Sequence, residues 1–119
     1  MSDSMIASSL DRVIVELCDT TDVGPGEIVQ AELPGGHKLA VYNVEGTFYI
    51  TDDTCSHGDA SLAEDGMLDG DEVECTWHFG RFKVATGAAC AMPCTKPLRT
   101  WPVIIDGDRI CTEAEQGFL

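Results

Sequence analysis

The amino-acid sequence predicts a mainly β protein that folds as one domain. Short runs of alternating apolar and polar residues, such as residues 29–33, are separated by glycine, proline and aspartate turns, and no long run has the spacing of an amphipathic helix. A chain of 119 residues has the length of one domain and is too short for two independent cores. With 44% hydrophobic and 24% charged residues, the composition is typical of a globular protein.

Turn sequences place the individual strands. The segments Pro34-Gly35-Gly36, Glu45-Gly46 and Asp106-Gly107 are each suited to a tight connection between two strands. The strands that they separate are predicted at residues 29–33, 39–44, 47–51, 102–105 and 108–112. We expect these strands to form one sheet system, and we expect a single helical turn at residues 20–23.

Residues 53–97 are predicted to form several short loops. Five glycines and two prolines in this segment favour turns between them. Because functional residues are concentrated in loops, we expect the chemistry to lie here. The predicted organisation is a single domain of residues 1–119, in which an insert of residues 53–97 interrupts a β base domain of residues 10–52 and 98–115.

The chain is strongly acidic. Its 21 acidic and 7 basic residues give a formal net charge of −14 and an isoelectric point near 4.2. Such a charge would repel nucleic acids and anionic membrane surfaces, so we expect neither as a partner. The charge serves either solubility alone or attraction to a basic protein partner, and net charge by itself does not decide between the two.

The sequence also predicts a cytoplasmic location. No apolar run approaches the roughly 20 residues that span a bilayer. Before Arg12 there is no basic residue of the kind that begins a secretory signal. In a reducing cytoplasm, the six cysteines indicate metal ligation or buried thiols rather than disulfides.

Two short motifs combine cysteine with histidine. Cys55-x-His57 is followed, after seventeen residues, by Cys75-x-x-His78. A zinc finger usually takes two cysteines from one element and two histidines from another. A 2Fe–2S cluster with one iron on two cysteines and the other on two histidines instead needs one ligand of each kind from each loop, which is the arrangement found here. A structural zinc module remains an alternative for the same four side chains.

The motifs and the residues around them resemble the Rieske iron–sulfur proteins. The resemblance is nearest to the small ferredoxins of bacterial aromatic-ring-hydroxylating dioxygenase systems, of the biphenyl dioxygenase type, and runs from about residue 12 to residue 113. The segments that carry it are Cys55-Ser56-His57-Gly58-Asp59, Leu68-Asp69-Gly70-Asp71, Val73-Glu74-Cys75 and His78-Phe79-Gly80-Arg81-Phe82. The resemblance implies an all-β Rieske fold of stacked antiparallel sheets, with a small cluster-binding subdomain inserted in the base domain.

The resemblance also implies a role for particular residues. Cys55 and Cys75 would hold the inner iron of one 2Fe–2S cluster, and His57 and His78 would hold the outer iron. The residues expected to surround the cluster are Gly58, Trp77, Gly80 and Pro93. The two glycines would let backbone N–H groups approach the cluster sulfurs, although each is equally explained as a turn glycine.

Two departures separate the chain from respiratory Rieske proteins. Those proteins carry an extra cysteine in each ligand loop, where this chain has Ala60 and Trp77. They also place a serine and a tyrosine where this chain has Gly80 and Phe82. Because hydroxyl donors to the cluster sulfurs raise the reduction potential, these differences indicate the low-potential ferredoxin class.

The function that the resemblance implies is one-electron transfer without substrate chemistry. The chain would accept electrons from a flavin-containing ferredoxin reductase and pass them to a terminal Rieske oxygenase. It is not expected to be an oxygenase, since oxygen activation needs a further iron on two histidines and a carboxylate, and only His37 remains. The small Rieske subunit of a nitrite reductase-type enzyme is an alternative.

The remaining candidate ligands have simpler explanations. His37 follows a turn and is expected to be an exposed turn residue. Cys90 and Cys94 could suggest a second metal site, but their spacing suits buried thiols as well. We interpret them, together with Cys18 and Cys111, as structural cysteines.

Overall fold

The computed structural model describes residues 12–55, 60–76, 80–91 and 96–115. Within these residues the secondary structure is almost entirely β, which confirms the predicted all-β class. The strands are β1 (Arg12–Asp19), β2 (Ile28–Glu32), β3 (Lys38–Val44), β4 (Thr47–Asp52), β5 (Gly66–Asp69), β6 (Glu72–Cys75), β7 (Gly80–Lys83), β8 (Ala89–Ala91), β9 (Thr100–Trp101), β10 (Ile104–Asp106) and β11 (Arg109–Glu115). A 3-10 turn (Thr20–Asp22) follows β1, as predicted, and a four-residue helix, α1 (Leu62–Asp65), precedes β5.

The strands form three antiparallel sheets. Their strand orders are β1-β11-β10, β2-β3-β4-β9 and β5-β6-β7-β8. The prediction that the base strands form one sheet system is therefore wrong, because the β10–β11 hairpin pairs with β1 rather than with β4. Strand β1 carries apolar residues on both of its faces, with Ile14 exposed between the partly buried Val13 and Val15, so its sequence lacks the alternation that marks a strand.

The predicted hairpins are present. In the β3–β4 connection, Glu45 and Gly46 both have positive φ angles, of 50° and 93°, as the two-residue type I′ hairpin turn requires. In the β10–β11 connection, Gly107 has a φ of 63°. The turn at residues 34–36 joins β2 to β3, which pair along their whole length from Ile28–Tyr42 to Glu32–Lys38.

Strand β3 of the second sheet is buried on both of its faces, so the three sheets are stacked in layers. Leu39 and Val41 of β3 enter one hydrophobic cluster with residues of the first sheet such as Ile110. Ala40 and Tyr42 face the opposite way and enter a second cluster with residues of the third sheet. Because both clusters exclude water from β3, its sequence contains a continuous apolar run rather than an alternating pattern. In the described part of the chain, no helix is long and apolar enough to cross a membrane.

We predict that Gly87→Ala costs more stability than Gly70→Ala, although both glycines lie in turns of the third sheet. Both have positive φ angles, of 77° and 63°, which cost a residue with a β-carbon about 1–2 kcal/mol. A β-carbon on Gly87 would also collide with the Leu98 carbonyl oxygen, whereas one on Gly70 meets no atom within 4 Å. Urea unfolding of the two variants measures the difference, and equal losses would contradict the close packing of Gly87.

Candidate metal centre

The first ligand loop begins at the end of β4 and is closed by three successive pairs of residues. Two of the pairs are backbone hydrogen bonds, of 2.8 Å between Leu62 N–H and the Asp53 carbonyl and of 2.9 Å between Cys55 N–H and the Ala60 carbonyl. The pairs, from the base outward, are Asp53–Leu62, Thr54–Ser61 and Cys55–Ala60. Cys55 therefore occupies the last pair, and only residues 56–59 extend beyond it.

The second ligand loop is built in the same way. Cys75 is the last residue of β6, and it pairs with Gly80, the first residue of β7. Only residues 76–79 lie between the two. In both loops a cysteine ends the ladder, its partner follows five residues later, and the histidine of the motif belongs to the four residues between them.

The helix α1 connects the two ligand loops. Its last residue, Asp65, accepts hydrogen bonds at its carbonyl oxygen from both the N–H and the side-chain hydroxyl of Thr76, which follows Cys75. The next residue, Gly66, pairs directly with Cys75. A β-carbon on Gly66 would collide with the Leu62 carbonyl, so glycine is required where the chain leaves α1 and enters β5. The two loops are thus held in one arrangement by backbone contacts.

Both cysteine side chains are buried in the same apolar cluster. Cys55 is 2% exposed and Cys75 is 0% exposed, and the cluster also contains Leu62 and Phe82. Tyr42 lies in this cluster too, where burial raises the pKa of its phenol and the nearby Asp53, Asp52 and Cys55 add to that shift, against a lowering by the 2.7 Å hydrogen bond with Thr51. The phenol therefore stays neutral beside the thiols.

This arrangement fits a 2Fe–2S cluster. Two buried thiolates in an apolar cluster would be costly without a positive counterpart, which iron supplies. His57 and His78 lie outside the described residues, as do Gly58, Trp77 and Pro93. Gly80 is described, and it is buried opposite Cys75. Within the described ranges, no group of three or more histidine, cysteine, aspartate or glutamate side chains could hold a metal ion.

His37 is half-buried, so the prediction that it is an exposed turn residue is wrong. Its Nε2 lies 2.7 Å from Asp52 Oδ1, and its ring centroid lies 5.7 Å from that of Trp101. Trp101 Nε1–H donates to the same carboxylate oxygen at 2.9 Å. The contact joins the β2–β3 turn to the end of β4, and nothing in the local sequence pattern indicates it, because its members are up to 64 residues apart.

Comparisons with known proteins match most of the chain. Residues 13–102 match the model of the Rieske [2Fe-2S] domain. The chain is 63% identical over 97 residues to the ferredoxin component of the p-cumate 2,3-dioxygenase system of Pseudomonas putida, with 82% of each chain covered. It is 43% identical over 104 residues to the ferredoxin component of biphenyl 2,3-dioxygenase of Rhodococcus jostii (strain RHA1), with 87% of this chain and 95% of that protein covered.

A solved structure shows the same fold. The fold of this protein matches that of a chain in the complex of reduced oxygenase and oxidized ferredoxin in carbazole 1,9a-dioxygenase, with a TM-score of 0.80 and 42% identity. The match covers 87% of this chain and 94% of that one. The stacked antiparallel architecture is therefore that of a solved dioxygenase-system protein.

Three described cysteines lie outside the two motifs. Cys90 is exposed on β8, so the expectation that it is a buried thiol is wrong, whereas Cys111 is buried and Cys18 is half-buried. Burial raises the pKa of Cys18 to about 11, and the negative charges of Asp22 and Asp19 add to this shift. Burial likewise raises the pKa of Cys111. Cys94 lies outside the described residues.

We predict that iodoacetamide alkylates Cys90 well before Cys18 and Cys111 in the native protein. With a pKa of about 11, only about one Cys18 thiol in a thousand is the reactive thiolate at pH 8. Mass spectrometry of tryptic peptides measures the order, and fragment ions assign the label because Cys90 and Cys94 share peptide 84–99. Cys90→Ser is the control that should remove the fast label, and equally fast labelling of Cys111 would contradict its burial.

Proposed function

Because the chain belongs to the Rieske [2Fe-2S] family, we propose that it is the ferredoxin component of an aromatic-ring-hydroxylating dioxygenase system and passes electrons to a terminal oxygenase. It holds one Rieske-type 2Fe–2S cluster and is an electron-transfer component rather than a catalytic enzyme. The observation that carries this function is the 63% identity to a dioxygenase-system ferredoxin across 82% of both chains. An oxygenase and a ferredoxin also occur together in the solved carbazole 1,9a-dioxygenase complex.

We propose that Cys55 and Cys75 bind the inner iron and that His57 and His78 bind the outer iron. A bound 2Fe–2S cluster accepts and releases a single electron. The protein contributes two buried thiol groups at the ends of two ladders, and this burial in one apolar cluster supports the inner position. The histidines belong to the segments beyond the ladders, where an outer iron would be nearest to a partner protein. Gly58, Trp77, Gly80 and Pro93 are proposed to surround the cluster.

The partner that supplies the electrons is proposed to be a flavin-containing ferredoxin reductase in the cytoplasm. The relatives are components of multi-protein systems, which supports a separate electron donor. The division into a base domain of residues 10–52 and 98–115 and a cluster-binding insert of residues 53–97 is proposed as well. It is supported by the pairing of β5, β6, β7 and β8 with one another in a sheet of their own.

The buried positions near the cysteines support the low-potential class. Ala60 and Phe82 are 1% and 0% exposed and carry no hydroxyl or thiol. They leave backbone N–H groups as the donors available to the cluster sulfurs at these positions. The alternatives, a zinc module and a nitrite reductase-type small subunit, differ in an observable way: a zinc protein is colourless, and a nitrite reductase subunit would not accept electrons from a dioxygenase-system reductase.

We predict that alanine in place of Cys55, His57, Cys75 or His78 abolishes cluster binding, because one of the two irons then loses one of its two protein ligands. Iron content per chain and visible absorbance measure the loss. Cys90→Ala is the matched control, since Cys90 is a cysteine outside the motifs and should leave the iron content unchanged. A Cys75→Ala protein that keeps two irons and the native spectrum would refute the ligand assignment.

We predict that electron exchange with the partner proteins slows as salt rises. Most described basic side chains already form ion pairs with acids, as Arg81 does with Asp69 and Glu72, so the net charge of −14 resides in the remaining acids. The Debye length shortens from roughly 8 Å at physiological ionic strength to about 3 Å at 1 M salt. The loss of electrostatic steering is expected to lower the second-order rate constant about tenfold. Stopped-flow reduction at several salt concentrations measures this.

A pair of single-charge variants locates the surface that carries the salt effect. Glu64 is exposed on α1 beside the ligand loops, and Asp106 is exposed on β10 of the first sheet. Glu64→Gln should lower the low-salt rate more than Asp106→Asn, because steering acts where the electron leaves the protein. Rates that are flat with salt would mean that the charge serves solubility alone.

A further inference from the structure

A buried carboxylate lies at the base of the first ligand loop. Asp53 is 2% exposed, and its side chain has no counterion in the described contacts; its partners are neutral donors. Asp53 Oδ2 accepts from Gln30 Nε2 at 2.7 Å and from the Ser61 hydroxyl at 2.6 Å. Asp53 Oδ1 accepts from Ala63 N–H at 2.9 Å. A buried carboxylate is costly unless its oxygens are well hydrogen-bonded, so this geometry has to be satisfied by the residues around it.

These hydrogen bonds join the two ends of the loop that carries Cys55. Asp53 is the residue at which the loop leaves β4, and its donors Ser61 and Ala63 lie where the loop returns. The main chain of Asp53 takes part as well, because its carbonyl accepts from Leu62 N–H and its N–H donates to Lys38 of β3. One residue thus closes the loop through both its backbone and its side chain.

The same carboxylate also acts on the second loop through α1. Ala63 belongs to α1, and Ser61 caps this helix by accepting from Glu64 N–H at 3.2 Å. At the other end of α1, the Asp65 carbonyl accepts from Thr76, next to Cys75. A series of hydrogen bonds therefore runs from Asp53 through α1 to Thr76, the residue after the second cysteine.

We propose that Asp53 is a positioning residue that sets the relative placement of the two cysteines and so the electronic environment of the cluster. This inference rests on the proposed function, since it concerns the cluster that Cys55 and Cys75 are proposed to hold. Gln30 of β2 donates to the same carboxylate, so the base of the loop is also held to the second sheet, which is the middle layer of the fold. Asp53 does not contact the metal in this proposal and acts through the loop.

The experiment compares Asp53→Ala and Asp53→Asn with Asp52→Asn in the full-length, cluster-loaded protein. Asp52 is a matched control because it is the adjacent aspartate, and its carboxylate accepts from Trp101 and contacts His37, yet neither contact joins the ends of the loop. Each asparagine variant removes one negative charge near the cluster, so an effect of charge alone appears in both. The readouts are the electron spin resonance g values, the midpoint potential and the rate of cluster loss to a chelator.

We expect both Asp53 variants to change the g values and to lose the cluster about tenfold faster than wild type, because a lost hydrogen bond to a charged group is worth at least that factor. Asp52→Asn should keep wild-type g values and a wild-type rate of cluster loss. If the Asp53 variants are merely less stable to heat, with unchanged g values and chelator rates, the proposal is wrong.

Three further outcomes keep the test decisive. If Asp53→Ala does not fold, Gln30→Ala removes one donor to the carboxylate while leaving Ser61 and Ala63 in place, and its g values decide the question in the same way. If wild-type protein itself contains no two-iron cluster, the proposed function fails. A wild-type protein with a normal cluster and Asp53 variants with the same properties would overturn the positioning role alone.

Discussion

The feature on which the site depends is that each ligand loop is closed by backbone pairing up to its cysteine. The Cys55 N–H bonds to the Ala60 carbonyl, and Cys75 pairs with Gly80, so each thiol belongs to the last paired residue of a ladder. Only four residues of each loop extend beyond the ladder, and each set of four contains one histidine of the motif. In this construction a buried thiol and the histidine of the same motif belong to one short loop.

The layered sheets supply the support that the ladders need. Because β3 is buried on both faces, the second sheet packs against the first sheet on one side and against the third sheet on the other. Tyr42 of β3 packs into the cluster that contains both cysteines and bonds Thr51 of β4. The apolar packing of the third sheet, for example Val73 and Phe82, completes the enclosure. Burial of the thiols is thus a consequence of the stack rather than of the loops alone.

The sequence predicted those features that local chemistry determines. The Glu45-Gly46 and Asp106-Gly107 turns predicted hairpins because positive φ angles favour such residues, and the paired motifs predicted two equivalent loops. Features that depend on contacts between distant segments could not be predicted. The pairing of β1 with β11, the carboxylate of Asp53 bonded to Gln30, and the contact of His37 with Asp52 all join residues that no local pattern relates. The positions of the histidine rings lie outside the described residues and rest on the motif.

The ligand assignment is tested most directly by the low-temperature electron spin resonance spectrum of the reduced, full-length protein. Mixed ligation of one iron by two histidines and of the other by two cysteines lowers the average g value below that of clusters bound by four cysteines. We expect a single two-iron signal with this low average g value, and its loss in the His57→Ala and His78→Ala proteins. A spectrum typical of four-cysteine ligation, or a colourless protein that gives no signal after reduction, would contradict the assignment.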